Sequence, residues 1–163
     1  MYDAPTEPLD IECLRVKRLT FIHLNIHSIL PKLDEIRTLT VNTKVAVIGI
    51  TKTCLDESVT DSEAEIPDYM ILGHNRNHKG GGVCVYIQSD IALNARNDIG
   101  GDLETMWAEI YLPKTKPILV GVCYRPPKQL VFFSLFENTC MTCQNIQIQN
   151  VYYWVILIQI INK

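Results

Sequence analysis

The sequence has no strong excess of charge of either sign and no apolar segment at its N-terminus. Its 15 lysines and arginines stand against 18 aspartates and glutamates, for a formal net charge of −3. Any contact with nucleic acid must therefore depend on local basic residues. Residues 1–10 are acidic, contain proline and lack the apolar core of a signal peptide. We expect an intracellular protein, and no basic nuclear-import run decides between nucleus and cytoplasm.

The sequence also lacks a disulfide framework and a segment long enough to cross a bilayer. Its six cysteines lie mostly within apolar runs, at spacings that indicate reduced thiols. Cys140-Met-Thr-Cys143 is a lone CxxC that could be half of a zinc site or a redox pair, but no second pair or histidine cluster accompanies it. The apolar tail 151–161 is too short to span a membrane, so no membrane partner is expected.

What the sequence does have is the composition of one globular domain, with 47% hydrophobic and 20% charged residues. We predict a polar leader over 1–18, then a strand, an amphipathic helix and a second strand over 19–24, 30–41 and 45–50. A surface loop over 56–68 precedes two hairpins, which join 69–72 to 83–87 and 106–112 to 118–123. A helix over 131–138 follows. These elements predict a sheet-rich α/β domain.

The segment 117–127 contains a predicted strand that stops abruptly at two prolines. Residues 118–122 are an apolar, β-branched run suited to a strand buried on both faces. Tyr124 and Arg125 follow, and two prolines stop the ladder. Many α/β folds place their chemistry at such strand ends. The alternative is a strand closed by a rigid turn, with Arg125 merely solvated.

Five motifs together resemble the endonuclease domain of non-LTR (LINE-type) retrotransposons, within the endonuclease/exonuclease/phosphatase superfamily. They are Phe21-Ile-His-Leu-Asn25-Ile-His-Ser28, Leu30-Pro-Lys-Leu-Asp34, Ile48-Gly-Ile-Thr-Lys-Thr53, Gly80-Gly-Gly-Val83 and Tyr124-Arg-Pro-Pro127. The resemblance spans 19–136 and implies the N-terminal portion of a four-layered α/β sandwich, that is, an incomplete domain. It also implies a DNA partner and Mg²⁺-dependent nicking that primes reverse transcription.

The resemblance assigns roles to individual residues. Asn25 matches an asparagine that holds metal or phosphate, and Tyr124 a tyrosine that contacts the scissile phosphate. Arg125 would support phosphate, for which its fork geometry is suited. A donor cluster in the first hairpin tip would face DNA, namely His74, Asn75 and Arg76. Each has an ordinary alternative, since Asn25 could cap the following turn and the hairpin tip could simply be solvated.

Two departures from the family predict that this chain does not cut DNA. The family's metal-binding glutamate, in a Thr-Glu-Thr motif, is replaced by Lys52, which offers hydrogen-bond donors only and repels a cation. The later Gly-Asp-Phe-Asn and Ser-Asp-His motifs, which would position water and base, do not occur in the sequence. We therefore expect no bound Mg²⁺ and an inactive remnant, with an active endonuclease within a longer protein, or a nucleic-acid or protein interaction module, as alternatives.

The tail 137–163 diverges from the family. Read two bases out of phase, the codons for Val151-Tyr-Tyr-Trp-Val155 encode an aliphatic residue followed by Leu-Leu-Gly, whichever synonymous codons are used. With allowed codons for residues 155–158, the shifted frame continues as Asp-Phe-Asn. This pattern favours a frameshift between about residues 137 and 151. If half of the sandwich is missing, the inner face of the first sheet should be exposed, and should aggregate or bind a partner.

Overall fold

A computed structural model describes residues 10–16, 19–73, 81–125, 130–149 and 153–160. Nine strands and two helices, with one short 3-10 turn, make up these ranges. In chain order they are β1 (Asp10–Val16), β2 (Leu19–Asn25), the turn (Leu30–Lys32), α1 (Leu33–Asn42), β3 (Val47–Thr51), β4 (Tyr69–Leu72), β5 (Val83–Gln88), β6 (Ala92–Ala95), β7 (Glu104–Tyr111), β8 (Ile118–Arg125), α2 (Phe132–Gln149) and β9 (Tyr153–Ile160).

The strands form two sheets. The first has the order β1-β2-β3-β5-β4 and the second the order β6-β7-β8-β9. Strands β2 and β3 are parallel and are connected through α1, which confirms the predicted strand–helix–strand opening. The pairs β4–β5 and β7–β8 are antiparallel, as both hairpin predictions require. Strand β9 lies parallel to β8, after the crossover through α2.

Helix α1 forms where the sequence supplies an apolar stripe and suitable ends. Leu33 and Ile36 are buried against the first sheet, while Asp34 and Glu35 in the first turn complement the positive end of the helix dipole. The guanidinium of Arg37 donates two hydrogen bonds to the Glu65 carbonyl oxygen, at 3.0 and 2.7 Å, and so fixes the loop that precedes β4.

The two sheets pack face to face, with one helix on each outer side. Their shared core contains Phe21, Val47, Val85, Ile87, Ala108, Ile110, Val120 and Val122. Ile22, Leu24, Ile48 and Ile50 point to the other side of the first sheet, toward Leu33 and Ile36 of α1. Trp107, Leu119 and Cys123 lie on the outer face of the second sheet. Cys143 and Phe132 of α2 pack against them. The result is the predicted four-layered α/β sandwich.

The prediction of an exposed inner face on the first sheet is wrong for the part of the chain that the structure describes. Phe21, Val47 and Val85 are at most 1% exposed, because β7 and β8 lie across them. The second sheet thus supplies the partner that the sequence analysis expected to be missing. Among the described residues, the inner face of the first sheet is therefore covered and not exposed.

Three strands lie where the sequence analysis assigned none, and α2 continues eleven residues beyond the predicted end at residue 138, to Gln149. Asp10–Val16, within the predicted polar leader, pairs antiparallel with β2 as an edge strand. Its first residues alternate charged with apolar, a period-2 pattern that an average of composition conceals. Ala92–Ala95 and Tyr153–Ile160 form the two edges of the second sheet. No helix in the described ranges is both long and apolar enough to cross a membrane.

Candidate functional site

The candidate site lies where β2 and β3 end and β5 begins. Parallel pairing brings Asn25, the last residue of β2, opposite Thr51, the last residue of β3. The segments that follow β2 and β3 are also joined by backbone hydrogen bonds. The donors are the N–H groups of Ile26, Ser28 and Ile29, and the acceptors are, in the same order, the carbonyl oxygens of Thr51, Lys52 and Thr53, at 3.1, 3.1 and 3.0 Å. The loop that carries Lys52 is therefore fixed on one side by the chain that follows Asn25.

A glycine segment fixes the same loop on its other side. The N–H groups of Thr53 and Cys54 donate to the carbonyl oxygens of Gly82 and Gly81, at 3.3 and 3.0 Å. Gly82 has φ +91°, and a Cβ there would collide with the Thr53 hydroxyl oxygen. Only glycine combines this backbone conformation with so close an approach. Gly81 and Gly82 thus fix the geometry of the Lys52 loop.

Glu104 connects this glycine segment to the second sheet. Its Oε1 accepts a hydrogen bond from the Gly82 N–H, although Glu104 is the first residue of β7. Across the β7–β8 ladder Glu104 pairs with Tyr124. The sequence analysis missed Glu104, but counting residues back across the predicted 106–112/118–123 hairpin would have placed it opposite Tyr124. One carboxylate thus ties the glycine segment beside the Lys52 loop to β7, which pairs with the strand that carries Tyr124.

Tyr124 faces the core between the sheets and is 6% exposed. Burial raises the pKa of its phenol, and the negative charge of Glu104 and the nearby Cys54 raise that pKa further. Because the ordinary pKa of tyrosine is already near 10, the Tyr124 hydroxyl is protonated at neutral pH. It can donate a hydrogen bond to an anionic oxygen, as the predicted role requires.

Asn25 carries an unused acceptor. Its Oδ1 is buried and has no hydrogen-bond partner within the described part of the chain. Buried side-chain oxygens normally find a partner, so an unpaired one at a loop end is a candidate ligand-binding atom. Within the described residues, Asn25 Oδ1 is thus an acceptor that no protein donor uses.

Lys52 follows Thr51 directly, in the left-handed backbone region with φ +58°, and is partly buried. Non-glycine residues adopt this conformation at a cost of order 1–3 kcal/mol, and such residues are found preferentially at functional sites. Among the described residues, no carboxylate forms an ion pair with its ammonium group. Lys52 thus brings a positive charge to the loop that follows Thr51, the residue opposite Asn25.

Arg125 lies on the opposite side of β8 from Tyr124. Its guanidinium carbon is 5.0 Å from the ring centre of Phe133 and 5.8 Å from that of Phe132, in the first turn of α2. Its Nε is buried without a hydrogen-bond partner among the described residues. The structure thus brings Asn25, Lys52 and Tyr124 to one end of the sandwich and turns Arg125 toward α2. The remaining predicted contacts, His74, Asn75 and Arg76, lie outside the described residues.

The residues at this end do not fit a magnesium ion. Mg²⁺ requires several hard oxygen ligands, usually with one or two carboxylates among them. Asn25 offers one neutral oxygen, Glu104 is engaged with Gly82, and Lys52 brings a positive charge. Within the described ranges no three His, Cys, Asp or Glu side chains converge as a metal site would need.

No protein-family model and no curated protein matches the sequence. Solved structures do match in fold. The endonuclease domain of TRAS1, a telomere-specific non-LTR retrotransposon, superimposes with TM-score 0.55 at 9% identity, over 79% of this chain and 52% of that one. An AP endonuclease from Leishmania major gives 0.53 at 14% identity, over 78% and 46%. The 3′ phosphatase NExo from Neisseria, bound to product DNA hairpin, gives 0.58 at 11% identity, over 85% and 56%.

These similarities establish the fold and confirm the predicted one. The chain has the two-sheet α/β fold of these solved structures, and it spans about half of their length. Identities of 9–14% establish the fold and no family.

Proposed function

We propose that this chain is a non-catalytic portion of a retrotransposon-type DNA endonuclease, which binds DNA without cutting it. One observation carries the proposal: Lys52 stands beside Asn25 and Thr51, at the strand end where the resemblance requires a metal-binding glutamate. The fold that displays this position is the nuclease fold. The residue in the position cannot coordinate a cation.

The chemistry of phosphodiester cleavage explains why the substitution matters. Hydrolysis needs an activated water, and positive charge near the phosphoryl oxygens where negative charge develops. Lys52 supplies positive charge, but neither it nor Tyr124, whose phenol is protonated at neutral pH, activates water. The Gly-Asp-Phe-Asn and Ser-Asp-His motifs, which would contribute the remaining groups, are absent from the sequence.

DNA is the proposed partner for two reasons. One structure with the same fold is described as bound to product DNA hairpin, and another as a retrotransposon endonuclease domain. The chain itself offers a cation, Lys52, and a protonated phenol, Tyr124, at one end of the sandwich. Both are groups that contact phosphate oxygens in protein–DNA complexes.

Incubation of the purified chain with supercoiled plasmid in Mg²⁺ or Mn²⁺ tests the proposal, and we expect no conversion to the nicked form. An Asn25→Ala variant purified in parallel reports contaminating nucleases, since these would act equally in both preparations. Nicking by the unaltered chain that EDTA abolishes and that Asn25→Ala lacks would contradict the proposal. It would favour the alternative, an active metal-dependent endonuclease within a longer protein.

A further inference from the structure

Strand β4 forms one edge of the first sheet, and among the described residues β5 is the only strand that pairs with it. Its residues, Tyr69–Leu72, include no charged side chain and no proline, which are the usual means by which a sheet edge is protected from pairing with another chain. The opposite edge strand, β1, carries Asp10, Glu12 and Arg15. The β4 edge is therefore the less protected of the two.

The backbone groups of Ile71 point away from β5. The Gln88 N–H donates to the Ala46 carbonyl oxygen at 3.1 Å, so the backbone groups of Gln88 face β3. Because backbone groups alternate sides along a strand, those of Ile87 face β4, where Ile87 lies opposite Met70. Ile71, the next residue of β4, therefore directs its N–H and C=O out of the sheet edge. These two groups can pair with an incoming strand.

A groove of about 510 Å³ follows this edge, since its lining includes all four residues of β4. Tyr69 and Ile71 pack toward α1 and Leu72 toward the core between the sheets, so the groove is not confined to one face. Met70, which is 37% exposed, and the buried Ile66 add further apolar surface. Peptides that add to a sheet edge gain affinity from main-chain hydrogen bonds and specificity from side-chain pockets of this kind.

The rim of the groove is acidic. Asp61 and Glu65 line it, and both are exposed. Residues 56–68 include six aspartates or glutamates and no lysine or arginine. The nearby Arg37 donates to the Glu65 carbonyl oxygen and forms an ion pair with Asp34 at 3.0 Å, so its positive charge is partly compensated. The rim therefore attracts a basic segment and repels DNA.

We propose that the β4 edge and its groove form a docking site for an extended, basic segment of another protein, in which lysines or arginines alternate with apolar residues. The segment adds to the sheet as a further strand that pairs with Ile71. Because side chains alternate along a strand, one set enters the apolar groove while the other meets Asp61 and Glu65. A second copy of this chain fits less well, since its own β4 edge would bring the same acidic rim.

Fluorescence anisotropy of a labelled peptide of alternating lysine and valine, about eight residues long, tests the site with the full chain. We expect saturable binding that weakens as the salt concentration rises. The same peptide with glutamate in place of lysine should bind at least about tenfold more weakly. N-methylation of every second amide blocks one pairing edge of the lysine–valine peptide, and this too should weaken binding about tenfold or more.

Variants of the chain locate the binding. Met70→Lys places a cation in the groove and should weaken binding of the lysine–valine peptide about tenfold or more, whereas Met70→Leu should retain it. Glu65→Gln should weaken binding about threefold, as for one surface charge contact. The matched control is Asp102→Asn, at an exposed carboxylate before β7 in the other sheet, which should leave affinity unchanged. Unaltered circular dichroism shows that each variant has folded.

Absence of binding by the lysine–valine peptide would overturn the docking site. So would equal binding of the glutamate or N-methylated peptide, or full affinity in Met70→Lys. This inference is independent of the proposed DNA binding, because β4 carries none of the residues assigned to that function.

Discussion

Glycine 121 shows how closely single residues are fitted in the second sheet. It lies opposite Trp107 in the β7–β8 ladder, and a Cβ at residue 121 would collide with the indole ring. Trp107 is 1% exposed and packs with Leu119 and Cys143, so its ring has no open space to move into. Because Gly121 has no side chain, the indole ring of Trp107 can pack directly against its backbone.

The substitution Gly121→Ala should lower the free energy of unfolding by about 1–3 kcal/mol, the usual cost of overpacking a core. Urea denaturation measures it. In the background of Trp107→Leu, which removes the ring, the same glycine substitution should cost less, so the double-mutant cycle should show coupling. Equal costs in both backgrounds would contradict the assigned contact.

Site residues differ in how far the sequence predicts them. Tyr124 stands out from the sequence pattern because it follows an apolar run where a strand ends, whereas Asn25 and Lys52 are assigned to the site only through the resemblance to the retrotransposon endonuclease domain. Glu104 was missed because a glutamate at the start of a strand is locally unremarkable, and its bond to Gly82 spans 22 residues. Arg125 adjoins Tyr124 in sequence, yet alternation along β8 turns it to the other side of the strand.

Helix α2 is the element that covers the outer face of the second sheet. Its first turn places Phe132 against Leu103 and Cys123, with 1% of its surface exposed, whereas Phe133 is 58% exposed. Both rings flank the Arg125 guanidinium. Substituting the two phenylalanines one at a time therefore compares the loss of a buried ring with the loss of an exposed one, since both rings contact Arg125.

Phe132→Ala should lower the free energy of unfolding by about 3–5 kcal/mol, as for large-to-small changes in a core. Phe133→Ala should lower it by about 1 kcal/mol, because at this exposed position it removes only the cation–π contact with Arg125 and an edge-to-face contact with Phe132. Chemical denaturation of the two variants side by side is the measurement. Similar losses for both would mean that α2 does not dock as described.

The elements themselves were predicted with uneven success. Strands β2, β3, β5, β7 and β8 have long apolar or alternating runs, and α1 has a clear apolar stripe, so sequence patterns identified them. Strand β1 was concealed by its charged residues, and β6 by its brevity. Strand β9 lies in the tail for which a frameshift is predicted. That origin stays a prediction, and an apolar run of this length forms a strand beside β8 whatever its origin.

At the scale of the whole molecule, the sandwich keeps thiols of both sheets out of water. Cys84 of β5 and Cys123 of β8 have no exposed surface. Burial raises the pKa of both thiols, that of Cys123 to about 12 from an ordinary value near 9. The native state thus retains protons that the unfolded chain loses at alkaline pH.

Stability should therefore fall as the pH rises from about 9 toward 12, because the unfolded state binds fewer protons than the native state across that window. One such thiol contributes a slope of about 1.4 kcal/mol per pH unit. Denaturation at several alkaline pH values should show this fall, and Cys123→Ala should reduce it. Cys54→Ala, at an exposed position, serves as the control substitution. A flat profile in the unaltered chain would contradict the buried thiols.

The central proposal is that Lys52 stands where the resembled family has its metal-binding glutamate. Electron paramagnetic resonance of Mn²⁺ titrated into the full chain tests this claim most directly. We predict no saturable binding by the unaltered chain, and a gain of binding in Lys52→Glu, where the new carboxylate joins the free oxygen of Asn25. Saturable Mn²⁺ binding by the unaltered chain that is lost in Asn25→Ala would contradict it.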